Sequence, residues 1–228
     1  VLREKLRRTQ WVAVGISFIA VIVLTVSYGT IPWISLTLAA SALLPAVAQA
    51  QSVLRPTPRQ TEGPFYPVAL PSDQDFDLLR NGGAVYSKAQ PVWVEGLVMD
   101  TRGMPVAGAV VEIWQCDHEG HYHHPQDGGK ADPKFQGFGR VAVGKDGRYR
   151  FRTMRPAPYS GRTPHIHVKV KLDRKELLTT QLYVAGDPGN PRDGLWQRLD
   201  LQDRAALTRE FSASADGLRV DFPIVVQV

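Results

Sequence analysis

The sequence predicts an all-β protein: an antiparallel β-sandwich with long irregular loops, preceded by an apolar N-terminal leader helix. Two observations predict the sandwich. Seventeen prolines and 20 glycines interrupt the 228 residues, and short runs of alternating apolar and polar residues lie between the turns that they mark. The hydrophobic share of 43% is sufficient for a sizeable core.

Residues 1–50 are predicted to be an export signal or a membrane anchor. A basic cluster, residues 3–8, precedes a run without charged side chains, residues 9–54, and the small residues 46–50 provide an Ala-x-Ala end. This order is typical of an export signal, whereas the apolar length of 11–50 also suits an uncleaved anchor. Both alternatives predict an exported domain, periplasmic or extracellular.

The net charge of +5 owes more to the leader than to the rest of the chain. Four basic and one acidic residue lie within residues 1–50, so residues 51–228 carry only +2. They show no basic stripe with interleaved aromatic residues, and no nucleic-acid partner is expected. The single cysteine, Cys116, lies in an apolar run and is predicted to be a small buried hydrophobe.

The remaining elements follow in chain order. Residues 51–60 are predicted to be a linker, and residues 61–67 are too rich in Gly and Pro for a regular element. Residues 140–153 are predicted to form a hairpin around the turn 144–147, and a short helix is expected at about 197–210. The strands are predicted at 91–99, 109–116, 140–143, 148–153, 165–172, 177–184 and 218–228.

One predicted strand carries a candidate metal site. A strand places residues i and i+2 on one face, so His165 and His167 can reach the same ion. Two surface histidines would give the same pattern, so the neighbouring residues must distinguish a metal site from an exposed pair. Tyr159 lies six residues upstream in a Pro-rich loop, and Tyr122 lies in the histidine-rich segment 118–124. A tyrosine beside two histidines can act as a phenolate ligand.

The donor types favour one metal. The phenol pKa is about 10, so a phenolate at neutral pH needs a strong local positive charge, which a trivalent hard cation supplies. Neutral imidazole suits iron, and phenolate oxygen favours its ferric state. Two tyrosines and two histidines therefore indicate one non-haem Fe(III) ion per chain more than zinc or copper.

Several motifs in this order resemble those of the intradiol ring-cleavage dioxygenases, over about residues 61–188. The resemblance is strongest to the beta chain of the protocatechuate 3,4-dioxygenases and to the catalytic domain of the catechol dioxygenases, and it identifies residues 61–228 as a catalytic domain. The motifs include Thr61-Glu62-Gly63-Pro64-Phe65-Tyr66, Val111-Glu112-Ile113-Trp114-Gln115, Gly120-His121-Tyr122, Pro158-Tyr159, Arg162-Thr163-Pro164-His165-Ile166-His167 and Thr180-Gln181-Leu182-Tyr183.

The resemblance implies unequal roles for the four ligands. It implies that Tyr122, Tyr159, His165 and His167 bind a non-haem ferric ion. It further implies that Tyr159 leaves the iron when a catechol binds and accepts a substrate proton, while Tyr122 stays bound. The implied reaction opens the ring with O2 to a cis,cis-muconate-type diacid. Protocatechuate or a related catechol is the expected substrate, and a homo-oligomer is compatible with the sequence.

The resemblance also implies roles for residues that do not bind the metal. Arg162 matches an arginine that stabilises negative charge on the ring, and Gln181 matches a polar residue near O2 and substrate. Gly63, Pro64 and Trp114 match positions that line the substrate pocket, although Trp114 could equally belong to the core.

The sequence departs from the longer relatives in two places. Only residues 160–164 separate Tyr159 from His165, which predicts a more open pocket. The histidines of segment 118–124 have no implied role and are predicted to be solvated loop residues; they are His118, His121, His123 and His124.

Two other classes of function compete with this interpretation. The pattern of residues 94–114 also resembles the transthyretin-like and carboxypeptidase-regulatory-like β-sandwich modules, which bind or space without catalysis. A zinc or copper hydrolase or oxidase using the histidine cluster is the third hypothesis.

Overall fold

The computed structural model describes residues 53–228, in which nearly all regular structure is β-strand. The strands, numbered β1 to β12, lie at Arg80–Asn81, Ala84–Val85, Pro91–Asp100, Val110–Trp114, Phe138–Ala142, Arg148–Met154, His165–Leu172, Lys175–Val184, Thr208–Arg209, Ser212–Ser214, Gly217–Asp221 and Ile224–Val226. Two short helices, α1 and α2, lie at Gly194–Gln197 and Leu201–Leu207. The predicted leader lies outside the described residues.

Two five-stranded sheets form the domain. In the first sheet, β3 pairs with β6, β11 and β12, and β10 pairs with β11. In the second sheet the order is β5-β4-β7-β8-β9. Strands β1 and β2 form a separate small hairpin. The predicted all-β sandwich is therefore confirmed.

The core contains apolar side chains from both sheets. Alternate residues of β7, Ile166, Val168 and Val170, are fully buried in the same cluster as Val92 and Val94 of β3. Burying such a side chain stabilises the fold by about 1.5–3 kcal/mol. The opposite face of β7 carries His165 and His167, as the period of two requires.

The predicted hairpin over residues 140–153 is wrong. The turn forms, with the Gly147 amide donating to the Gly144 carbonyl, but the two strands beside it enter different sheets. β5 pairs with β4 and β6 pairs with β3. Turn residues specify where the chain reverses, whereas the partner of each strand depends on packing with distant segments.

The C-terminal strand pairing also differs from the expectation. The predicted strand 218–228 is divided into β11 and β12 at Phe222 and Pro223, since proline cannot donate a ladder hydrogen bond. β11 and β12 run parallel to β3, and β9 runs parallel to β8. The sandwich is therefore mixed rather than purely antiparallel, which the long connection through α1 and α2 permits.

The predicted helix at 197–210 forms only in part. It is replaced by α1 and α2, each begun by an aspartate that caps free backbone amides. Asp193 accepts hydrogen bonds from the amides of Leu195 and Trp196, and Asp200 accepts one from that of Asp203. No helix among residues 53–228 has the length and apolarity needed to span a bilayer.

Residues 53–60, predicted as part of a linker, are attached to the sheets. The amide of Leu54 donates to the Thr101 carbonyl over 2.7 Å, and that of Gln60 donates to the Thr179 carbonyl over 2.9 Å. Thr57 exchanges hydrogen bonds with Val225 through its amide and its hydroxyl. We call residues 53–67 the N-terminal strap.

Candidate metal centre

Strand β7 brings the two predicted histidine ligands together. His165 and His167 are each 1% exposed, and their Nε2 atoms lie 3.2 Å apart. The His165 Nδ1 lies 2.6 Å from the Thr163 carbonyl oxygen, to which a neutral ring donates its proton. This contact leaves the His165 Nε2 with a free lone pair.

The loop before β7 places Tyr159 beside these histidines. Its ring centroid lies 5.4 Å from that of His165. A tight turn follows, in which Ser160 and Gly161 have φ of 44° and 76°. The amide of Arg162 closes the turn by donating to the Tyr159 carbonyl over 2.7 Å. The short connection that the sequence shows thus brings Tyr159 and Arg162 to the same place.

Tyr122 comes to the site from the loop after β4. Its ring centroid lies 5.0 Å from that of Tyr159 and 6.1 Å from that of His167. The Asp127 carboxylate accepts a hydrogen bond from the Tyr122 amide over 2.7 Å. Gly120, with φ of 88°, lets this loop approach the Tyr159 loop, because a Cβ there would lie 2.9 Å from the Pro158 carbonyl.

Burial controls the protonation of the four rings. Burial and the charge of Arg162 lower the pKa of His165 to about 4, and burial also lowers the pKa of His167 well below its ordinary value. Burial raises the pKa of Tyr122 and that of Tyr159 above the ordinary value for phenol. At neutral pH the unliganded site therefore presents two neutral imidazoles and two phenols.

These residues fit a metal ion. The Nε2 atoms of the two histidines converge, and among the described residues the Tyr122 hydroxyl is buried without a hydrogen-bond partner, which native structures rarely tolerate. No group of three or more His, Cys, Asp and Glu suited to a metal occurs within 53–228. A four-donor site in this part of the chain therefore requires the tyrosines.

Arg162 is held beside this centre by two buried residues. Its Nε donates to the Asp193 Oδ2 over 2.7 Å, and its Nη2 donates to the Gln181 Oε1 over 2.7 Å. Gln181 is fully buried and also donates to the Thr61 carbonyl. Gln181 therefore faces the interior and not the solvent.

Two of the three predicted pocket residues, Gly63 and Trp114, lie next to His167. A Cβ added to Gly63 would lie 3.4 Å from the His167 Cε1, and Pro64 beside it is exposed. Trp114 stacks on His167 with centroids 4.7 Å apart and planes 8° apart. Trp114 is itself 1% exposed, so it is a core residue that packs against His167.

An open cavity of about 640 Å³ lies next to the centre. Of the predicted site residues, it contains Tyr159 and Arg162. Its lining consists of Pro158, Tyr159, Ser160, Gly161, Arg162, Thr163, Pro164, Asp187, Pro188, Gly189 and Arg192. Tyr159 is thus the ligand candidate with access to a substrate-sized space, whereas Tyr122 is 2% exposed.

The histidine-rich loop is more ordered than predicted. His124 is buried, and its Nδ1 accepts a hydrogen bond from the Gln126 amide. The His123 Nε2 lies 2.6 Å from the Phe135 carbonyl oxygen, and the His118 Nδ1 lies 2.6 Å from the Tyr86 hydroxyl. The expectation of a solvated side chain is therefore wrong for His124. The contacts of His118, His123 and His124 fix the loop that carries Tyr122.

Two residues that contribute to the site, Phe65 and Asp193, were not predicted from the sequence. Phe65 stacks on Tyr122 with centroids 4.6 Å apart; it lies inside a matched motif, which could have indicated it. Asp193 has no motif, and only its position as a helix cap could have drawn notice. Its contact with Arg162 joins segments 31 residues apart.

Comparison with known proteins identifies the class to which this fold and ring cluster belong. Residues 61–228 match the family model described as "Dioxygenase". A catechol 1,2-dioxygenase 1 from Acinetobacter lwoffii is 32% identical over 200 residues, which are 78% of this chain and 62% of that protein. A protocatechuate 3,4-dioxygenase beta chain from Burkholderia cepacia is 32% identical over 187 residues, 74% of this chain and 78% of that one.

Solved structures agree. The dioxygenase domain of a dioxygenase–carbohydrate-binding fusion from Streptomyces sp. SirexAA-E superposes with a TM-score of 0.62 at 32% identity, covering 76% of this chain and 99% of that one. An intradiol ring-cleavage dioxygenase from Tetranychus urticae, at 19% identity and a TM-score of 0.60, shares the fold; it covers 76% of this chain and 95% of that one. The chain belongs to the intradiol ring-cleavage dioxygenase family.

Proposed function

We propose that this protein is a non-haem Fe(III)-dependent dioxygenase that opens a catechol-type ring with O2 to a cis,cis-muconate-type diacid. The observation that carries the proposal is the convergence of four rings beside Arg162, those of Tyr122, Tyr159, His165 and His167. These four residues would hold the iron. When bound, the iron would supply the Lewis acidity that binds a catechol as its dianion and the redox route to O2.

The raised phenol pKa values support a trivalent ion. Burial keeps Tyr122 and Tyr159 protonated in the unliganded site, so only a strongly charged cation would displace both protons. The neutral state of His165 and His167 suits iron as well. A metal bound in this way would release protons on binding.

The difference in exposure assigns the proton transfer. Tyr159 lines the open cavity, so its Oη can accept a proton from an entering catechol hydroxyl. Tyr122 is buried under Phe65 and has no route to a substrate proton, so it would remain a ligand. Arg162, fixed next to Tyr159, would stabilise negative charge that develops on the ring.

The adjoining cavity is large enough for a single substituted ring. Protocatechuate or a related catechol is the substrate we propose. Gln181 would act on the substrate indirectly, by holding Arg162, because its side chain is buried.

A spectrum of the purified protein tests this function. Tyrosinate bound to ferric iron absorbs visible light, so the protein should be wine-red, its spectrum should shift when a catechol is added without air, and it should consume O2 with that catechol. Elemental analysis separates iron from zinc or copper. A folded, colourless and iron-free protein would contradict the proposal, and the non-catalytic module would then be preferred.

We also propose that residues 1–50 export this domain or anchor it to a membrane. The basic start and the uncharged run support this. Mass spectrometry of the protein recovered from cells would show whether the chain is cleaved after Ala48 or Ala50.

A further inference from the structure

Among residues 53–228, Asp193 is the one carboxylate that contacts Arg162, and its two oxygens accept hydrogen bonds from different groups. Oδ1 accepts the amides of Leu195 and Trp196 over 2.9 and 3.0 Å, which caps α1. Oδ2 accepts the Nε of Arg162 over 2.7 Å and the amide of Thr163 over 3.0 Å. One buried carboxylate therefore joins the Arg162 turn to the start of a helix.

The surroundings of this ion pair are rigid. The Asp193 side chain is 0% exposed and that of Arg162 is 19% exposed. Thr163 donates its hydroxyl to Asn190 over 2.8 Å, and Asn190 in turn donates to the Val184 carbonyl at the end of β8. The segment that carries Asp193 is thus fastened to the sheet independently of Arg162.

The guanidinium group is fixed at two points. Asp193 holds its Nε side and Gln181 holds its Nη2 side, so a planar group with two anchors cannot rotate freely. Gln181 is neutral, so only Asp193 balances the charge of Arg162 in this partly buried place. Charge-assisted hydrogen bonds of this type are about twice as strong as neutral ones.

We propose that Asp193 is a positioning residue that orients Arg162 toward the substrate cavity. The inference rests on the proposed function, in which Arg162 stabilises charge on the ring. Asp193 is not itself among the residues that line the cavity, and its side chain reaches that lining through Arg162 and the Thr163 amide. Arg162 is the charged one of these two partners, so Asp193 acts through Arg162. Without it, the guanidinium would keep the neutral partners of its Nη2, the Gln181 Oε1 at 2.7 Å and the Tyr183 hydroxyl at 3.5 Å.

Asp193→Asn tests the proposal selectively. If the single amide oxygen of asparagine continues to cap α1, its NH2 group faces the Nε–H of Arg162, and two donors then oppose each other. Asp193→Ser is a second variant, because serine also caps helices but is too short to reach Arg162. Asp200→Asn is the matched control, since Asp200 caps α2 as Asp193 caps α1 but pairs with Arg55 instead of Arg162.

The iron-loaded variants should show a defined kinetic pattern. We expect kcat to fall about ten- to hundredfold in Asp193→Asn and Asp193→Ser, as for misplaced catalytic groups, with a much smaller change in KM. Asp200→Asn, outside the cavity lining, should keep the wild-type kcat. A purely structural role would instead lower the melting temperature and the iron content while leaving kcat per bound iron unchanged, and that result would overturn the proposal.

Crystal structures provide a readout that does not depend on activity. In Asp193→Asn the Arg162 guanidinium should leave its wild-type position, and in Asp200→Asn it should not. An unmoved guanidinium in Asp193→Asn would overturn the proposal. A wild-type protein that opens no catechol ring would overturn the proposed function instead, and the crystal structures would still decide whether Asp193 positions Arg162.

Discussion

Individual residues acquire their chemistry here from burial more than from their immediate neighbours in sequence. His165 and His167 would be ordinary titrating imidazoles on an exposed strand, yet burial lowers the pKa of His165 to about 4. Tyr122 and Tyr159 are shifted in the opposite direction because burial disfavours the phenolate. Neutral histidines and phenols that resist ionisation make a site whose chemistry a bound cation would complete.

Removal of one imidazole should therefore remove the metal. We expect His167→Ala to lower the iron bound per chain more than about tenfold, because a lost ligand exceeds the effect of a lost supporting contact. Elemental analysis of the purified variant measures this. His118→Gln is the control, since the His118 ring contacts Tyr86 and is not one of the four ligand candidates. Equal iron in both variants would contradict the assignment of His167.

Cys116 gives a prediction that depends on pH. Burial raises the pKa of its thiol to about 12, and the side chain is fully buried, which confirms the predicted small hydrophobe. At pH 8 the native thiol should react with a thiol reagent far more slowly than the unfolded chain. Rapid labelling of the native protein would show that the thiol is accessible.

The same shift has a defined sign for stability. An unfolded thiol ionises near pH 9 and the folded one near pH 12, so the folded state holds the proton more tightly. The contribution of Cys116 is complete below pH 9 and is lost as the pH rises toward 12. Cys116→Ser should weaken the decline in stability over that range.

At the level of elements, two loops bring the two tyrosines of the site together by approaching each other closely. The loop after β4 carries Tyr122 and the loop before β7 carries Tyr159, and they meet at Gly120 and Pro158. The strand β7 was predicted with its observed bounds, because its alternation is a local signal. The meeting of the loops has no local signal beyond a glycine.

Gly120→Ala should separate these loops. Both Gly120 and Gly128 have positive φ, at 88° and 73°, but an added Cβ would clash only at Gly120. Alanine should cost about 1–2 kcal/mol at either position for its left-handed backbone. Denaturant unfolding should therefore show this loss of unfolding free energy in both variants, and a larger loss in Gly120→Ala, where the added Cβ also clashes. Only Gly120→Ala should also lose iron, and retention of iron there would contradict the close approach.

At the scale of the whole molecule, the N-terminal strap connects the two sheets to the site. Thr57 bonds to β12, Gln60 bonds to β8, and Lys169 of β7 forms an ion pair with Glu62. Gly63 then lies against His167. The strap therefore packs as part of the same folded domain, although the matched family region begins at residue 61.

Removal of the first part of the strap tests this role. A chain that begins at residue 61 lacks the hydrogen bonds of Leu54, Thr57 and Gln60. We expect its free energy of unfolding to be lower by about 2–5 kcal/mol than that of a chain beginning at residue 53, at roughly 1 kcal/mol per bond. Chemical denaturation of the two chains measures the difference, and equal stability would show that residues 53–60 are dispensable.

Local sequence patterns were sufficient to predict most strand positions and the residues of the ring cluster. The alternation in β7, the short connection between Tyr159 and His165, and the choice of two phenols with two imidazoles are local features, and each appears in the structure where it was expected. The tertiary structure alone decided which strands pair, that His124 is buried, and that Asp193 holds Arg162. These depend on contacts between distant segments, and the free energy of such contacts comes from burial and charge pairing that no local pattern encodes.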